Sequence, residues 1–319
     1  MSFDLFAATT RPDEKLFFRR DEAGDPRLGE VVKWQPEDYA SANVILLGCP
    51  QDEGVKRNGG RVGAASAPDA IRNFLYRLVT PMGRLAPMGK LVLFDLGNTI
   101  IQPTLEETHD LQQQIVRQII ADGKTLISLG GGNDISYPDC AGLAQVEPNV
   151  LAFNVDAHLD VRDNPIRNSG TPYRMLLEEG YLKAQNFYEM CYQPFAVSES
   201  HLSYLRDKGA DARSLDDLRQ VDMLISFQEL TDQAENQAIF WGIDLDSVRV
   251  AEAPGVSAPN VLGLTAEELC RIAQLAGDDW RTRVIEFTEV NPVYDIDGRT
   301  SRLTAVAIWH FLQEVAWEN

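Results

Sequence analysis

The chain has 319 residues, 44% of them hydrophobic and 24% charged, with a formal net charge of -19. This is the composition of a globular protein, and its acidity excludes nonspecific binding to nucleic acid or anionic membranes. No apolar stretch approaches the roughly 20 residues needed to span a bilayer, so no membrane partner is expected. The opening Met1-Ser2-Phe3-Asp4-Leu5-Phe6 has no basic stretch followed by an apolar one, and no secretory signal is expected. Cys49, Cys140, Cys191 and Cys270 are scattered and form no CxxC pair, which fits free thiols in a cytoplasmic protein.

Residues 1–40 are polar and irregular, with turn formers at Gly24-Asp25-Pro26 and Gln35-Pro36-Glu37. They are expected to form an N-terminal arm packed on a single domain spanning 41–319. Eight short apolar runs then follow: Val44–Leu47, Leu91–Phe94, Thr125–Leu129, Val150–Val155, Phe187–Cys191, Met223–Phe227, Ile239–Ile243 and Val284–Phe287. Runs of this length suit strands covered on both faces. Between them lie helical signals. Ser66 can cap a helix carrying Pro68 in its first turn and Ile71, Phe74, Leu75 and Leu78 on one face. Thr104 with Glu107, and Thr265 with Glu268, form capping-box patterns before apolar stripes, with Gly123 and Gly277 at the expected stops. Alternating strands and helices imply a doubly wound, mainly parallel α/β sheet of eight strands. No internal repeat, low-complexity tract or interdomain linker interrupts it.

In open α/β sheets, ligands bind outside the carboxyl ends of the strands. Four of the expected strands end in polar clusters: Gly130-Gly131-Gly132-Asn133-Asp134, Asp156-Ala157-His158-Leu159-Asp160, Asp244-Leu245-Asp246 and Glu289-Val290-Asn291-Pro292. In extended backbone, Asp156, His158 and Asp160 would point to one side and could converge on a metal ion. Asp244 and Asp246 taken alone could equally cap a turn; their recurrence of the same spacing argues for metal. Four aspartates and one histidine suit a pair of divalent cations, with some carboxylates bridging and a metal-bound hydroxide as hydrolytic nucleophile. Such oxygen-rich surroundings favour Mn2+ or Mg2+ over zinc.

These four clusters resemble the ordered signatures of the ureohydrolase family, which contains the arginases, agmatinases and formimidoylglutamases. The stretch Asp52-Glu53-Gly54-Val55-Lys56-Arg57-Asn58-Gly59-Gly60-Arg61 is similar to the early loop of the formimidoylglutamase branch. The resemblance implies a three-layer αβα fold, two Mn2+ ions, a homotrimer or homohexamer, and hydrolysis of a C–N bond at an amidino-type carbon. The expected reaction converts formimidoylglutamate to glutamate and formamide, a step of histidine catabolism. Another guanidino substrate such as agmatine, or a metal-poor and weakly active binding protein, is the alternative. The resemblance also implies Asp156 and Asp244 as bridging ligands, His158 and Asp246 as ligands of one metal, and Asp160 as a ligand of the other. Asp160 and Glu289 are the implied catalytic residues, with Glu289 also holding the amidino group. Arg57, Asn58, Arg61 and Ser169 are the implied substrate contacts; the basic loop with Lys56 could instead be a solvated turn of salt bridges.

Asn133 stands where the family pattern has a histidine ligand. Its amide oxygen is a weaker donor than imidazole, so one metal is expected to bind less tightly; alternatively, Asn133 only hydrogen-bonds within the glycine turn. The stretch Asn168-Ser169-Gly170-Thr171-Pro172-Tyr173 lacks the proton-shuttling histidine of some relatives. His109, His201 and His310 are expected to be structural or exposed.

Overall fold

In the computed structural model, which describes residues 3–81, 91–234 and 237–318, the apolar runs line up side by side. Among the described residues the strands are β1 (Thr9–Thr10), β2 (Val44–Gly48), β3 (Leu93–Thr99), β4 (Thr125–Leu129), β5 (Val150–Val155), β6 (Phe187–Tyr192), β7 (Asp211–Ser214), β8 (Ala238–Asp244) and β9 (Thr282–Thr288). They form one sheet in the order β1-β3-β2-β4-β9-β8-β5-β6-β7. Every pairing is parallel except that of β1 with β3. The helices before β5 are α1 (Leu28–Val31), α2 (Glu53–Arg57), α3 (Ala67–Leu75), α4 (Leu105–Ala121) and α5 (Ser136–Ala144). After it come α6 (Pro172–Glu178), α7 (Glu199–Lys208), α8 (Leu215–Gln220), α9 (Met223–Gln233), α10 (Ala266–Asp278) and α11 (Arg299–Glu318).

Strand residues alternate between two cores, which explains their continuous apolarity. Phe153, Trp241, Ile285 and Phe287 face helices α3 and α8 to α11. Ala152, Phe240, Val284 and Leu126 face α4 to α7. Three layers result, and a parallel sheet is covered on both faces. The Phe153 and Trp241 rings stack with centroids 4.5 Å apart, and Phe227 meets Phe153 edge-on.

Among the described residues the sheet has nine strands rather than the expected eight, and Met223–Phe227 is not among them. That run opens α9, with Asp222 accepting hydrogen bonds from the backbone N–H groups of Leu224 and Ile225. Met223, Phe227 and Leu230 are buried at helical spacing, whereas Ile225 is half exposed. Five apolar residues cannot distinguish a buried strand from the first turns of a helix. β1 and β7 were too short and too polar to read. Both Thr104–Glu107 and Thr265–Glu268 capping boxes form. Ser66 occupies the N-cap of α3 without a side-chain cap bond. Gly277 lies inside the last turn of α10, where a Cβ would come within 2.4 Å of the Phe311 carbonyl oxygen, so it permits close packing of α10 on α11. No described helix is long and apolar enough to cross a membrane.

Candidate active site

β4, β9, β8 and β5 are neighbours in the sheet, so their carboxyl ends bring residues 130–134, 289–291, 244–246 and 156–160 to one place. β5 stops at Val155, and Asp156 to Asp160 are not extended. Instead, Asp156 Oδ1 accepts a 2.7 Å hydrogen bond from His158 N, and Asp244 Oδ1 accepts one of 2.7 Å from Asp246 N. The same aspartate turn, built twice, places residues i and i+2 side by side. Asp160 and Glu289 take left-handed backbone with φ of 45° and 63°, a conformation that costs about 1 kcal/mol or more in a residue with a side chain. Gly131 runs against β2's continuation: a Cβ there would lie 1.8 Å from the Gln51 carbonyl oxygen.

Two trios of donor atoms converge, Asp156 with His158 and Asp246, and Asp156 with Asp160 and Asp244, each within 4.8 Å. Asp156 is therefore common to both. His158 Nδ1 lies 3.1 Å from Asp246 Oδ2 and 3.4 Å from Asp156 Oδ1. Burial, together with the charges of Asp246, Asp156 and Glu289, holds Asp244 well above the usual carboxylate range. Asp160 is raised likewise, by burial and then by Asp156. Burial lifts Asp246 to about 6 against the opposing charge of His158. Burial would also raise Asp156, but hydrogen bonds and charge from His158 bring it below its ordinary value. The charge of Asp246 drives His158 far above the usual histidine range despite burial. So many buried acids, with one imidazole and no other cation paired with them among the described residues, are electrostatically uncompensated. Asp246 Oδ1 and Glu289 Oε2 are buried without a hydrogen-bond partner among the described residues. A donor set of carboxylates plus one imidazole fits divalent manganese or magnesium.

Asn133 sits among these groups, fully buried. Its Nδ2 donates to Asp160 Oδ2 at 2.7 Å and to Asp156 Oδ2 at 3.4 Å, while Oδ1 accepts from Thr288 Oγ1 at 2.8 Å and Ser136 Oγ at 3.0 Å. The side chain thus touches the carboxylate cluster and is not confined to the glycine turn. Glu289 Oε1 accepts from Asn133 N at 2.7 Å, and burial lifts this carboxyl to about 8. Beneath the turn, His109 Nε2 and Gln51 Nε2 lie 2.7 and 2.6 Å from Asp134 Oδ2; His109 is a buried support for the loop.

A cavity of about 520 Å3 opens onto His158, Asp160, Asp244, Asp246 and Glu289. Asn58, Arg61 and Ser169 line its wall, and Asn58 Nδ2 donates to Ser169 Oγ at 3.1 Å. Arg61 is anchored: its guanidinium donates to the Pro254 and Val256 carbonyls and stacks 4.2 Å above Tyr294. Arg57 is not brought to the cavity. It pairs with Glu106 at 2.6 Å and Glu53 at 3.4 Å, and donates to the Arg167 carbonyl. Arg57→Ala is accordingly expected to lower Tm by about 2 °C and leave KM unchanged; a large rise in KM in steady-state kinetics would refute this placement. Lys56 points to Glu53 at the surface. Arg162, which the sequence did not mark, lines the wall, and so does His201, which was expected to be structural or exposed. Arg162 lies beyond the Asp160 motif, and His201 is contributed by α7, with no local pattern to mark either.

The arginase family model matches residues 42–313. A formimidoylglutamase from Salmonella arizonae is 32% identical over 296 residues, covering 90% of this chain and 92% of that protein. The crystal structure of Trypanosoma cruzi formiminoglutamase with Mn2+ superposes with a TM-score of 0.85 at 33% identity, covering 92% of this chain and 99% of that one. Formimidoylglutamase from Bacillus subtilis shares the fold, with a TM-score of 0.84 at 24% identity over 95% of this chain and 98% of that one.

Proposed function

Because the chain belongs to the arginase family, we propose that it hydrolyses N-formimidoyl-L-glutamate to glutamate and formamide. The observation that carries this reading is the pair of donor trios sharing Asp156, set beside the unpartnered oxygen of Glu289 in one cavity. The names of the relatives, formimidoylglutamase and formiminoglutamase with Mn2+, support the substrate and the metal.

In this reading Asp156, His158 and Asp246 hold one Mn2+. Asp156, Asp160 and Asp244, with Asn133 alongside, would hold the second. When bound, the pair acts as a Lewis acid and makes water a nucleophile near neutral pH. The chain's own groups orient the rest. Glu289 presents Oε2 to the planar N–C–N cation, whose charge favours the ionised carboxylate and strengthens the hydrogen bond it accepts. Asp160 takes a proton from the water that adds to the formimino carbon and returns it to the glutamate nitrogen as the bond between that nitrogen and the carbon breaks, releasing glutamate and formamide. Asn58 and Ser169 offer neutral hydrogen bonds along the wall. We further propose a cytoplasmic homo-oligomer, a trimer or hexamer, acting in histidine catabolism.

The test is turnover of a panel of formimino, guanidino and amidino compounds with added Mn2+. Preference for formimidoylglutamate supports the reading; preference for agmatine or arginine overturns the substrate assignment. Asn133 makes the two metal positions unequal, because its Nδ2 rather than its oxygen faces Asp160. To donate, the amide must rotate half a turn and give up the hydroxyls of Ser136 and Thr288. Asn133→His is therefore expected to tighten the weaker Mn2+ by about tenfold or more, read by metal titration of chelated protein. Unchanged affinity at both positions would show that Asn133 is not a metal-facing residue.

A further inference from the structure

The cavity is lined by the carboxylate cluster and Glu289, and also by Arg162 and His201, which are close enough for the charge of the arginine to act on the imidazole. Arg162 belongs to the loop after β5, and its side chain lies across Gly170, where a Cβ would sit 2.6 Å from Arg162 Cδ and 3.0 Å from Asn58 Nδ2. That packing aims the arginine alongside Asn58 and Ser169. His201 belongs to the first turn of α7, whose N-cap Ser198 accepts a hydrogen bond from the His201 backbone N–H. Val197 and Ser198, at the positive end of the same helix, also line the cavity.

The surrounding cations already have partners. Arg57 is held by Glu106, Arg167 by Asp110, and Arg174 by Asp163 at 3.2 Å and Glu178 at 3.0 Å. Among the described residues Arg162 forms no ion pair, and neither its guanidinium nor the His201 ring makes a hydrogen bond. Two unpartnered nitrogen-bearing side chains, from separate elements and facing one cavity, are complementary to an anionic group on a ligand. Formimidoylglutamate carries a cationic formimino group on its α-nitrogen, one carboxylate on the adjacent carbon and a second at the far end of the side chain.

Building on the reading above, we propose that His201 and Arg162 form the subsite for one substrate carboxylate, and that His201 selects dicarboxylate substrates by taking up a proton when they bind. In the free protein, burial and then the charges of Arg162 and Arg174 lower the His201 pKa, so the imidazole is neutral at pH 7. The groups facing it are Arg162 from the β5 loop and Arg174 from α6. Arg174 is partly neutralised by Asp163 and Glu178, and on its own helix Glu199 pairs with Arg206 at 3.7 Å. The same cavity is also lined by Asp160, Asp246, Glu289 and the anchored Arg61. A carboxylate seated between Arg162 and His201 offsets the arginine charge and raises the histidine pKa. By linkage, affinity is greatest at low pH and falls as pH rises through the pKa of the bound state.

The probe is L-glutamate, the expected product, which retains both carboxylates. Calorimetric titration of the Mn2+-loaded protein in two buffers of different ionisation enthalpy measures the protons taken up. Wild type is expected to absorb a fraction of a proton at neutral pH and to bind more weakly as pH rises. His201→Asn is expected to weaken binding about tenfold, abolish proton uptake and flatten the pH dependence. Arg162→Gln is expected to weaken binding while moving the pH limb upward, since a repelling cation is removed from His201. Thermal melting of each variant reports any loss of fold separately. No L-glutamate binding to wild type, His201→Asn binding as tightly as wild type, or proton uptake persisting in that variant would overturn the proposal. So would a fall in kcat at unchanged KM for His201→Asn, which would place the histidine in the chemical step. Failure of the substrate assignment looks different: wild type would not turn over formimidoylglutamate, while L-glutamate binding would keep its dependence on His201.

Discussion

Asp156→Asn is expected to lower kcat by about three orders of magnitude or more and to leave less than half of the wild-type manganese bound. The reason is its position in both donor trios, so a single substitution removes a charge from each metal position. The amide that replaces the carboxylate keeps an oxygen for the 2.7 Å bond from His158 N, and the local turn should survive. Far-UV and near-UV circular dichroism should therefore match wild type while elemental analysis shows the metal loss. Full manganese content with ordinary turnover would sink the assignment of Asp156 as the shared ligand. His158→Ala, by contrast, touches only one trio, and the difference between these two variants separates a shared ligand from a terminal one.

The second large effect is expected at Glu289. Glu289→Gln should reduce kcat/KM by about two orders of magnitude, as the loss of one partner of a buried charge pair costs about 3 kcal/mol, with manganese content unchanged. Its Oε1 accepts from Asn133 N, a bond that the glutamine amide oxygen can still make, while its Oε2 is buried without a partner. The substitution thus removes the charge facing the substrate and leaves the turn intact. Parallel loss of metal would show that Glu289 is a ligand rather than a contact to the formimino group. An unchanged kcat/KM would remove it from substrate binding altogether. The left-handed backbone at Glu289 and Asp160 is consistent with side chains held where chemistry rather than local propensity requires them.

Much of the site was legible because its chemistry is written in short segments. Asp156 and His158, and Asp244 and Asp246, are two residues apart and immediately follow apolar strands, so the local turn already brings each pair together. The assumed reason was different: extended alternation after Val155 does not occur, and aspartate side chains bonded to their own i+2 N–H groups bring the residues into register. Arg57 illustrates the opposite case. Its place in a basic loop beside a strand suggested a carboxylate contact, yet α2 turns it away from the cavity to Glu106, 49 positions further along the chain. No local pattern marks that partner. Met223–Phe227 failed for a related reason, since an apolar run does not say whether its neighbours bury alternate residues or every third and fourth.

The sequence by itself determined the alternation of strands and helices, the polar clusters at four strand ends, and the acidic, oxygen-rich chemistry that divalent metals require. These properties depend on residue type and short spacing, which local backbone geometry converts directly into position. Only the tertiary structure decided that β4, β9, β8 and β5 lie adjacent, making Asp156 common to two donor trios and turning the Asn133 amide toward Asp160. It alone brought Arg162 and His201 to the same cavity from different elements. Adjacency in a parallel sheet is set by crossover connections and by burial of both faces, and neither leaves a short-range mark on the chain.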